Sequence, residues 1–282
     1  MKHIKKIGKV LIIWYEAQRN NLSKTYKKEV KMLVVEDLKV RLGNKEILRH
    51  IDLEIKAGET HILFGPNGSG KTSLLMSIMG YPQYEVLAGK IFFKGKDITN
   101  MTINERARLG IGMSYQRPPS IQGLKTRQMI QICANNGVDV NSLAEEVNFS
   151  DFLDRDINVG FSGGEIKRSE LLQLMAQNPD FLLFDEPESG VDVENIALIG
   201  KTINHLLQRD LHATYGKSKK QLVKERSRMG LIITHTGFIL DYLAADKGHV
   251  LYDGVLACDG NPIEIFRQIK EVGYRECIQC VK

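Results

Sequence analysis

The chain has 282 residues, 43% of them hydrophobic, which is enough for one large α/β domain or two joined lobes. Its formal net charge is +5. Residues 1–31 carry nine lysines and arginines and two glutamates, a net charge of +7, so residues 32–282 have a net charge of −2. A body this close to neutral argues against nucleic acid as a partner.

The predicted elements begin after residue 31. Residues 1–31 are basic and then polar, and β-patterned sequence starts abruptly at Met32. We predict that this segment is a disordered extension or a mis-assigned start, with Met32 as the natural first residue. A basic helix adsorbed to a membrane surface is the alternative, although its apolar stretch is short.

Strand patterns and one helix lead into a region of different character. Residues 33–55 read as strands broken by a turn at 43–45. An apolar strand at 61–64 runs through a glycine-rich loop into a helix at 71–79, which makes a strand, loop and helix unit. Residues 100–178 are mostly helical in pattern, and we predict that they form an inserted helical subdomain.

Strand patterns return after this insertion. Apolar strands are predicted at 181–184 and 231–234, with a helix between them at 193–208. The α/β part is thus discontinuous in sequence. We predict one domain over residues 32–265, followed by a C-terminal tail at 266–282.

The loop after the strand at 61–64 carries the first motif with chemical meaning. It comprises Gly65, Pro66, Asn67, Gly68, Ser69, Gly70, Lys71 and Thr72. Its glycines let consecutive backbone amides turn around phosphate oxygens at the start of a helix. Lys71 supplies charge to the β- and γ-phosphates, and the Thr72 hydroxyl is a magnesium ligand. We predict that these eight residues, the P-loop, bind ATP together with Ser73, because the strand and helix context disfavours a simple glycine-rich turn.

Two carboxylates follow the strand at 181–184. Asp185 can reach the magnesium shell through water, and Glu186 is placed to polarise the water that attacks the phosphate. A strand ending in acidic residues is often only a solvated strand end. Downstream of a P-loop, the same pair favours phosphate hydrolysis.

A second anion-binding motif, the signature segment, precedes a helix-patterned stretch. It consists of Ser162, Gly163, Gly164 and Glu165. Its amides and the helix dipole suit an anion, although a capping turn is the plainer interpretation. Together with the P-loop, this segment gives the chain a resemblance to the ABC ATPases over nearly all of residues 32–265.

The resemblance implies an α/β nucleotide-binding domain with a P-loop core sheet, an antiparallel β subdomain and an inserted helical subdomain. In ABC ATPases the P-loop of one copy and the signature segment of a second copy clamp the same ATP. A nucleotide-dependent homodimer, with ATP and magnesium as cofactors, is therefore implied. Leu42 stands where an aromatic residue often stacks on adenine, so base selectivity would depend on apolar contact.

Further positions of the family pattern match in order. Gln116 corresponds to the Q-loop residue, which implies contact with ATP and magnesium. His235 corresponds to the switch histidine, which implies a catalytic role together with Glu186 and Lys71. The D-loop corresponds to Ser189, Gly190 and Asp192.

The residues around these motifs resemble the SufC type of ABC ATPase in particular. The likeness lies at residues 80–86, 93–98, 116–119 and 161–168. It implies an ATP-hydrolysing subunit of a Suf-type iron–sulfur cluster assembly complex, in which nucleotide-driven dimerisation remodels a SufB/SufD-like scaffold. The ATPase subunit of an ABC membrane importer is the alternative, since it shares every catalytic motif.

The cysteines and the remaining charge bear on location and metal binding. Cys277 and Cys280 have a spacing that could supply half of a tetrahedral thiolate site, with a frayed tail as the alternative.

The basic stretch at 209–228 is interpreted as a solvated loop insertion. Four cysteines make no disulfide framework here and suit a reducing cytosol. No apolar run approaches the roughly 20 residues that span a bilayer, so we expect a cytoplasmic protein without a membrane-inserted segment.

Overall fold

The computed structural model describes residues 33–134, 137–209 and 225–279. The predicted extension at 1–31, most of the basic stretch at 209–228 and Cys280 lie outside these residues. The described strands are β1 Leu33–Leu42, β2 Lys45–Ile55, β3 Thr60–Phe64, β4 Tyr84–Phe93, β5 Lys96–Asp97, β6 Ile111–Ser114, β7 Phe181–Asp185, β8 Met229–Ile233, β9 Lys247–Tyr252 and β10 Val255–Gly260. The described helices are α1 Lys71–Met79, α2 Ile103–Arg108, α3 Thr126–Cys133, α4 Val140–Glu146, α5 Gly163–Gln177, α6 Val193–Leu206 and α7 Pro262–Gln279, with 3₁₀ turns at Ser150–Phe152 and Phe238–Asp241.

The described strands form one sheet in the order β5-β4-β1-β2-β10-β9-β3-β8-β7-β6. From β9 to β6 the pairs are all parallel, and β3, β6, β7 and β8 are buried along their whole length. The part with β1, β2, β4 and β5 is antiparallel. The predicted α/β class, a core sheet with an antiparallel β part, is confirmed.

Neighbouring residues of the parallel strands pack on opposite sides of the sheet. Leu63 and Leu183 share one hydrophobic cluster with α1. Ile62 and Leu182 share another with α5, α6 and α7. Helices therefore cover both faces, which explains why these strands are continuous apolar runs rather than alternating ones.

The segment predicted as mostly helical, residues 100–178, contains one strand of the main sheet. β6 pairs parallel to β7, so the helical part proper comprises α3, α4, the first 3₁₀ turn and the start of α5. These elements share a small core in which Phe149, Leu153 and Leu172 are buried. Four residues that include Gly112 are too short a pattern to distinguish a strand from a piece of helix.

The C-terminal helix α7 crosses the boundary predicted between residues 265 and 266. Its backbone leaves helical geometry at Gly273, with φ 84° and ψ 173°, and the helix then continues to Gln279. Beyond this kink Cys277 is buried in a cluster with Val250 and Cys258. The described part of the predicted tail is thus packed on the domain.

Candidate functional site

Four of the predicted site segments lie at one edge of the sheet because they follow parallel strands. The P-loop follows β3, Asp185 ends β7 just before Glu186, His235 follows β8, and Gln116 follows β6. The ends of these strands are in register, with Asp185 opposite Ile233. Ligands of parallel sheets bind at this edge, and here the fold brings distant parts of the chain together.

The P-loop presents backbone amides at the start of α1. Gly70 takes the N-cap position in a left-handed conformation, and no side chain caps the helix, which leaves its first N–H groups to an anion. Lys71 is 6% exposed, and its Nζ donates to the backbone oxygens of Gly65 and Pro66 at 2.8 and 3.0 Å. Burial lowers the pKa of Lys71 to about 8, while the neighbouring carboxylates act in the opposite direction. An ammonium beside several backbone amides suits a polyphosphate.

Asp185 and Thr72 form an oxygen pair that fits magnesium. Asp185 is 1% exposed, its side chain hydrogen-bonds that of Thr72, and its Oδ1 is buried without a hydrogen-bond partner. Burial raises the pKa of Asp185, whereas the Thr72 hydrogen bond lowers it. A hard divalent cation would satisfy the unpaired carboxylate oxygen, so these residues can hold one.

Glu186 is held from two sides at the same edge. Gln116 Nε2 donates to Glu186 Oε2 at 2.7 Å, and His235 Nε2 lies 2.7 Å from Glu186 Oε1. The backbone of Glu186 is in the left-handed region, with φ 50°, an uncommon conformation that clusters at functional sites. Burial and then the charge of Lys71 lower the pKa of His235, while Glu186 raises it. The structure thus brings three predicted site residues into contact.

Glu188 is a residue of this edge that the sequence pattern did not reveal. It is 5% exposed, accepts hydrogen bonds from the hydroxyls of Thr234 and Thr236, and its Oε2 is buried without a partner. Burial raises the pKa of Glu188, and the Thr234 hydrogen bond lowers it. Because Thr234 precedes His235, this contact fixes the loop that carries the histidine. The sequence feature that could have indicated Glu188 is the cluster of three acidic residues at the end of β7, within residues 185–188.

The signature segment lies against the D-loop. Ser162 caps α5 in a reciprocal pair with Glu165, so the plainer interpretation, a capping turn, is present. A Cβ added to Gly163 would lie 2.0 Å from the backbone oxygen of Gly190. Over the described residues, no hydrogen bond or ion pair joins the signature segment to the P-loop. Within the described part of one copy, the signature segment and the P-loop therefore have no direct polar contact.

The D-loop residues occupy the turn between β7 and α6. Asp192 caps α6 by accepting from the backbone N–H of Asn195 at 2.9 Å, and hydrogen bonds from Asn195 lower the pKa of Asp192. Ser189, Gly190 and His235 line one cavity of about 310 Å³. The D-loop and His235 therefore line the same cavity.

The predicted thiolate pair falls partly outside the described residues, since Cys280 is not among them. Cys277 is fully buried, with its Sγ 3.7 Å from Gln268 Oε1. Its thiol also hydrogen-bonds Cys258, and burial, followed by this neighbour, raises the pKa of Cys258 to about 11. The described half of the pair faces the core. In the part of the chain that the structure describes, no group of three or more histidine, cysteine, aspartate or glutamate side chains could hold a metal ion.

The fold and this edge define a P-loop nucleotide hydrolase, with the phosphate loop after one parallel strand and the acidic pair after another. Residues 48–189 match the sequence profile of the family described as ABC transporter. The chain belongs to this family, as its ATP-binding and ATP-hydrolysing domain, with magnesium as the cofactor.

The chain is similar to curated proteins over most of its length. It is 35% identical over 264 residues to the "Probable ATP-dependent transporter ycf16" of Cyanidium caldarium, covering 88% of this chain and 97% of that protein. It is 34% identical over 259 residues to the "Probable ATP-dependent transporter SufC" of Escherichia coli K12, covering 86% and 97%. It is also 34% identical over 256 residues to "Vegetative protein 296" of Bacillus subtilis, covering 86% and 91%.

Solved structures share the fold at lower identity. A nucleotide-free ATP-binding cassette from an ABC transporter is 23% identical, with a TM-score of 0.68, covering 88% of this chain and 98% of that chain. A bacterial Atm1-family ABC exporter with ATP bound is 21% identical, with a TM-score of 0.68, covering 88% of this chain and 42% of the exporter chain. The predicted ABC ATPase fold is thereby confirmed. None of the helices in the described ranges is long and apolar enough to cross a membrane.

Proposed function

We propose that this chain is the ATP-hydrolysing subunit of a Suf-type iron–sulfur cluster assembly complex in the cytoplasm. The observation that carries the proposal is its 34% identity, over 97% of the relative's length, to the Escherichia coli protein named SufC. Two copies close around ATP and reopen after hydrolysis, and this movement remodels a SufB/SufD-like scaffold.

The P-loop holds the phosphates in this proposal. Lys71 exchanges the backbone oxygens that it contacts now for phosphate oxygens, which are stronger acceptors because they are charged. Thr72 and Asp185 would hold magnesium, which when bound neutralises charge on the β- and γ-phosphates. The proposed ATP-binding residues are Gly65, Pro66, Asn67, Gly68, Ser69, Gly70, Lys71, Thr72, Ser73 and Gln116.

Glu186 is the proposed group that polarises the attacking water. Its two carboxylate oxygens are held by Gln116 and His235, so the carboxylate has a fixed direction. Burial lowers the pKa of His235 below its ordinary value of 6.5. The imidazole is therefore neutral near pH 7 and has one N–H to donate, to Glu186 or to the γ-phosphate.

The signature segment of a second copy completes the site in this proposal. Ser162 and the amides at the start of α5 would face the γ-phosphate of the partner's ATP. Two observations support the pairing. The signature segment packs on its own D-loop at Gly190, and across the described residues it makes no hydrogen bond to its own P-loop.

Affinity purification of the native protein tests the scaffold. A soluble SufB/SufD-like protein should come with it, and a Lys71→Met variant, which should not bind ATP, is the matched control for partners that depend on nucleotide. Recovery of a membrane permease instead would contradict the proposal and favour the importer alternative.

The variant Glu186→Gln tests the hydrolytic role. It should bind ATP and lose turnover by about 10²- to 10⁴-fold, the usual contribution of a positioned acid or base. Glu264→Gln, at an exposed glutamate of α7, is the control and should hydrolyse ATP like the wild type. Undiminished turnover in Glu186→Gln would remove this residue from the mechanism.

A further inference from the structure

Helix α5 carries a buried ion pair close to the site described above. Lys167 and Glu170 are 3% and 6% exposed, and Lys167 Nζ lies 3.1 Å from Glu170 Oε2. Lysine and glutamate are almost never buried to this degree unless they are paired. A pair separated by three positions on a helix normally lies at the solvent, so the other partners of these two side chains need to be identified.

The other partner of both side chains is the end of β6. Glu170 Oε1 accepts from the backbone N–H of Tyr115 at 2.7 Å, and its Oε2 accepts from the Ser114 hydroxyl at 3.0 Å. Lys167 Nζ donates to the backbone oxygen of Tyr115. One turn of helix α5 therefore holds both the N–H and the C=O of Tyr115. We call Lys167 and Glu170 the Tyr115 clamp.

Tyr115 is also held from the P-loop helix. The hydroxyl of Tyr81, which follows the end of α1, donates to the Tyr115 hydroxyl at 2.7 Å. The next residue in the chain is Gln116, whose side chain donates to Glu186 at 2.7 Å. Tyr115, just before Gln116, is thus held through its backbone by the helix that begins at the signature segment and through its hydroxyl by a residue just beyond the helix that begins at the P-loop.

Fold stability alone gives no reason to keep this pair. Apolar residues of similar volume replace buried ion pairs with little or no loss of stability, and neighbouring positions on the same helix, such as Leu171 and Leu172, are already apolar and buried. What an apolar pair lacks is an acceptor for Tyr115 N–H and a donor for Tyr115 C=O. The pair is thus suited to placing a backbone segment.

We propose that Lys167 and Glu170 are positioning residues for ATP hydrolysis: the Tyr115 clamp fixes the backbone before Gln116 so that the Gln116 amide is held against the Glu186 carboxylate. The inference rests on the proposed roles of Gln116 and Glu186, and it is independent of which scaffold the protein serves.

Two double variants of the full chain test the clamp. Lys167→Met/Glu170→Met removes both contacts with Tyr115 while keeping apolar volume, so that no unpaired charge remains in the core. Lys167→Met/Glu170→Gln also removes the charges but keeps an amide oxygen for Tyr115 N–H. Lys94→Met/Asp180→Asn is the matched control. It removes the ion pair between Lys94 and Asp180, the residue before the first residue of β7, and this pair has no contact with Tyr115.

Turnover and ATP affinity separate positioning from general damage. The Met/Met variant should lose at least tenfold in kcat, with the KM for ATP within twofold of wild type, and the Met/Gln variant should lose about threefold. The Lys94/Asp180 control should keep wild-type kcat. Wild-type kcat in Met/Met, or a KM that rises in step with the loss of kcat/KM, would overturn the inference. If Met/Met does not melt cooperatively, Met/Gln decides, and a loss below twofold counts against the clamp.

A double-mutant cycle with Gln116→Ala tests whether the clamp acts through Gln116. In the Gln116→Ala background, adding Lys167→Met/Glu170→Met should lower kcat by less than a further twofold, because both changes act through Gln116. Additive losses would overturn the inference. Glu186→Gln is measured in parallel: if it retains turnover, the proposed hydrolytic site fails, whereas loss of turnover there with an intact Met/Met variant rejects the clamp alone.

Discussion

Replacing Gly163 by alanine should force the signature segment away from the D-loop. The added Cβ would lie 2.0 Å from the backbone oxygen of Gly190 and 2.9 Å from its carbonyl carbon, whereas real Cβ contacts essentially never fall below 3.0 Å. The obstacle is backbone, so one of the two loops must move by about 1 Å. Overpacking of this kind costs about 1–3 kcal/mol. If the cost acts on the equilibrium between two arrangements of the loops, it changes the equilibrium constant by about 5- to 150-fold.

ATP turnover and thermal melting measure the two consequences separately. Because the contact joins two loops outside the hydrophobic clusters, we expect the melting temperature to fall by about 2–4 °C per kcal/mol lost, while kcat falls about tenfold or more. Gly260→Ala is the matched control, since its added Cβ meets nothing closer than 3.7 Å. A Gly163→Ala variant with wild-type turnover would refute the argument that this contact sets the position of the signature segment.

Two further predictions concern the P-loop lysine and the metal. The pKa of Lys71 is lowered to about 8, so its ammonium loses charge as the pH rises through 8. The value of kcat/KM for ATP, which reports the free enzyme, should then fall above that pH, and a flat profile up to pH about 9.5 would contradict this. Asp185→Asn should raise the magnesium concentration for half-maximal turnover by about 10- to 100-fold, measured by magnesium titration, and an unchanged requirement would exclude Asp185 from the metal site.

The residues proposed to touch ATP could be predicted because each motif depends on one local stretch of backbone. The P-loop glycines and Lys71 lie within eight residues, between a strand and a helix whose own patterns are clear. Asp185 and Glu186 end an apolar run that is long enough to be recognised as a buried strand. Such patterns express the geometry of a single loop or strand end, so no knowledge of tertiary contacts is needed.

The residues that support the site could not be predicted in this way, because their partners are distant in sequence. Glu188 becomes meaningful when β7 and β8 pair and bring Thr234 beside it. Lys167 and Glu170 have the spacing of an ordinary exposed ion pair on a helix. They are buried because β6 joins the edge of the sheet next to β7, and β6 itself was missed within a segment predicted as mostly helical. The missed strand β6 therefore accounts for Lys167 and Glu170, whereas Glu188 depends on the pairing of β7 with β8.

The contact between Gly163 and Gly190 also bears on why two copies would be needed. Gly163 begins the helix whose next turn holds Tyr115, and Gly190 belongs to the loop that leaves Glu186. A partner's ATP bound at the signature segment would therefore act on the Glu186 carboxylate in two ways, through the D-loop and through Gln116. If the proposed pairing is correct, Gly163→Ala lowers turnover by disturbing the copy that carries it as well as its partner, so dilution with wild-type chains should restore less activity than the wild-type fraction alone predicts.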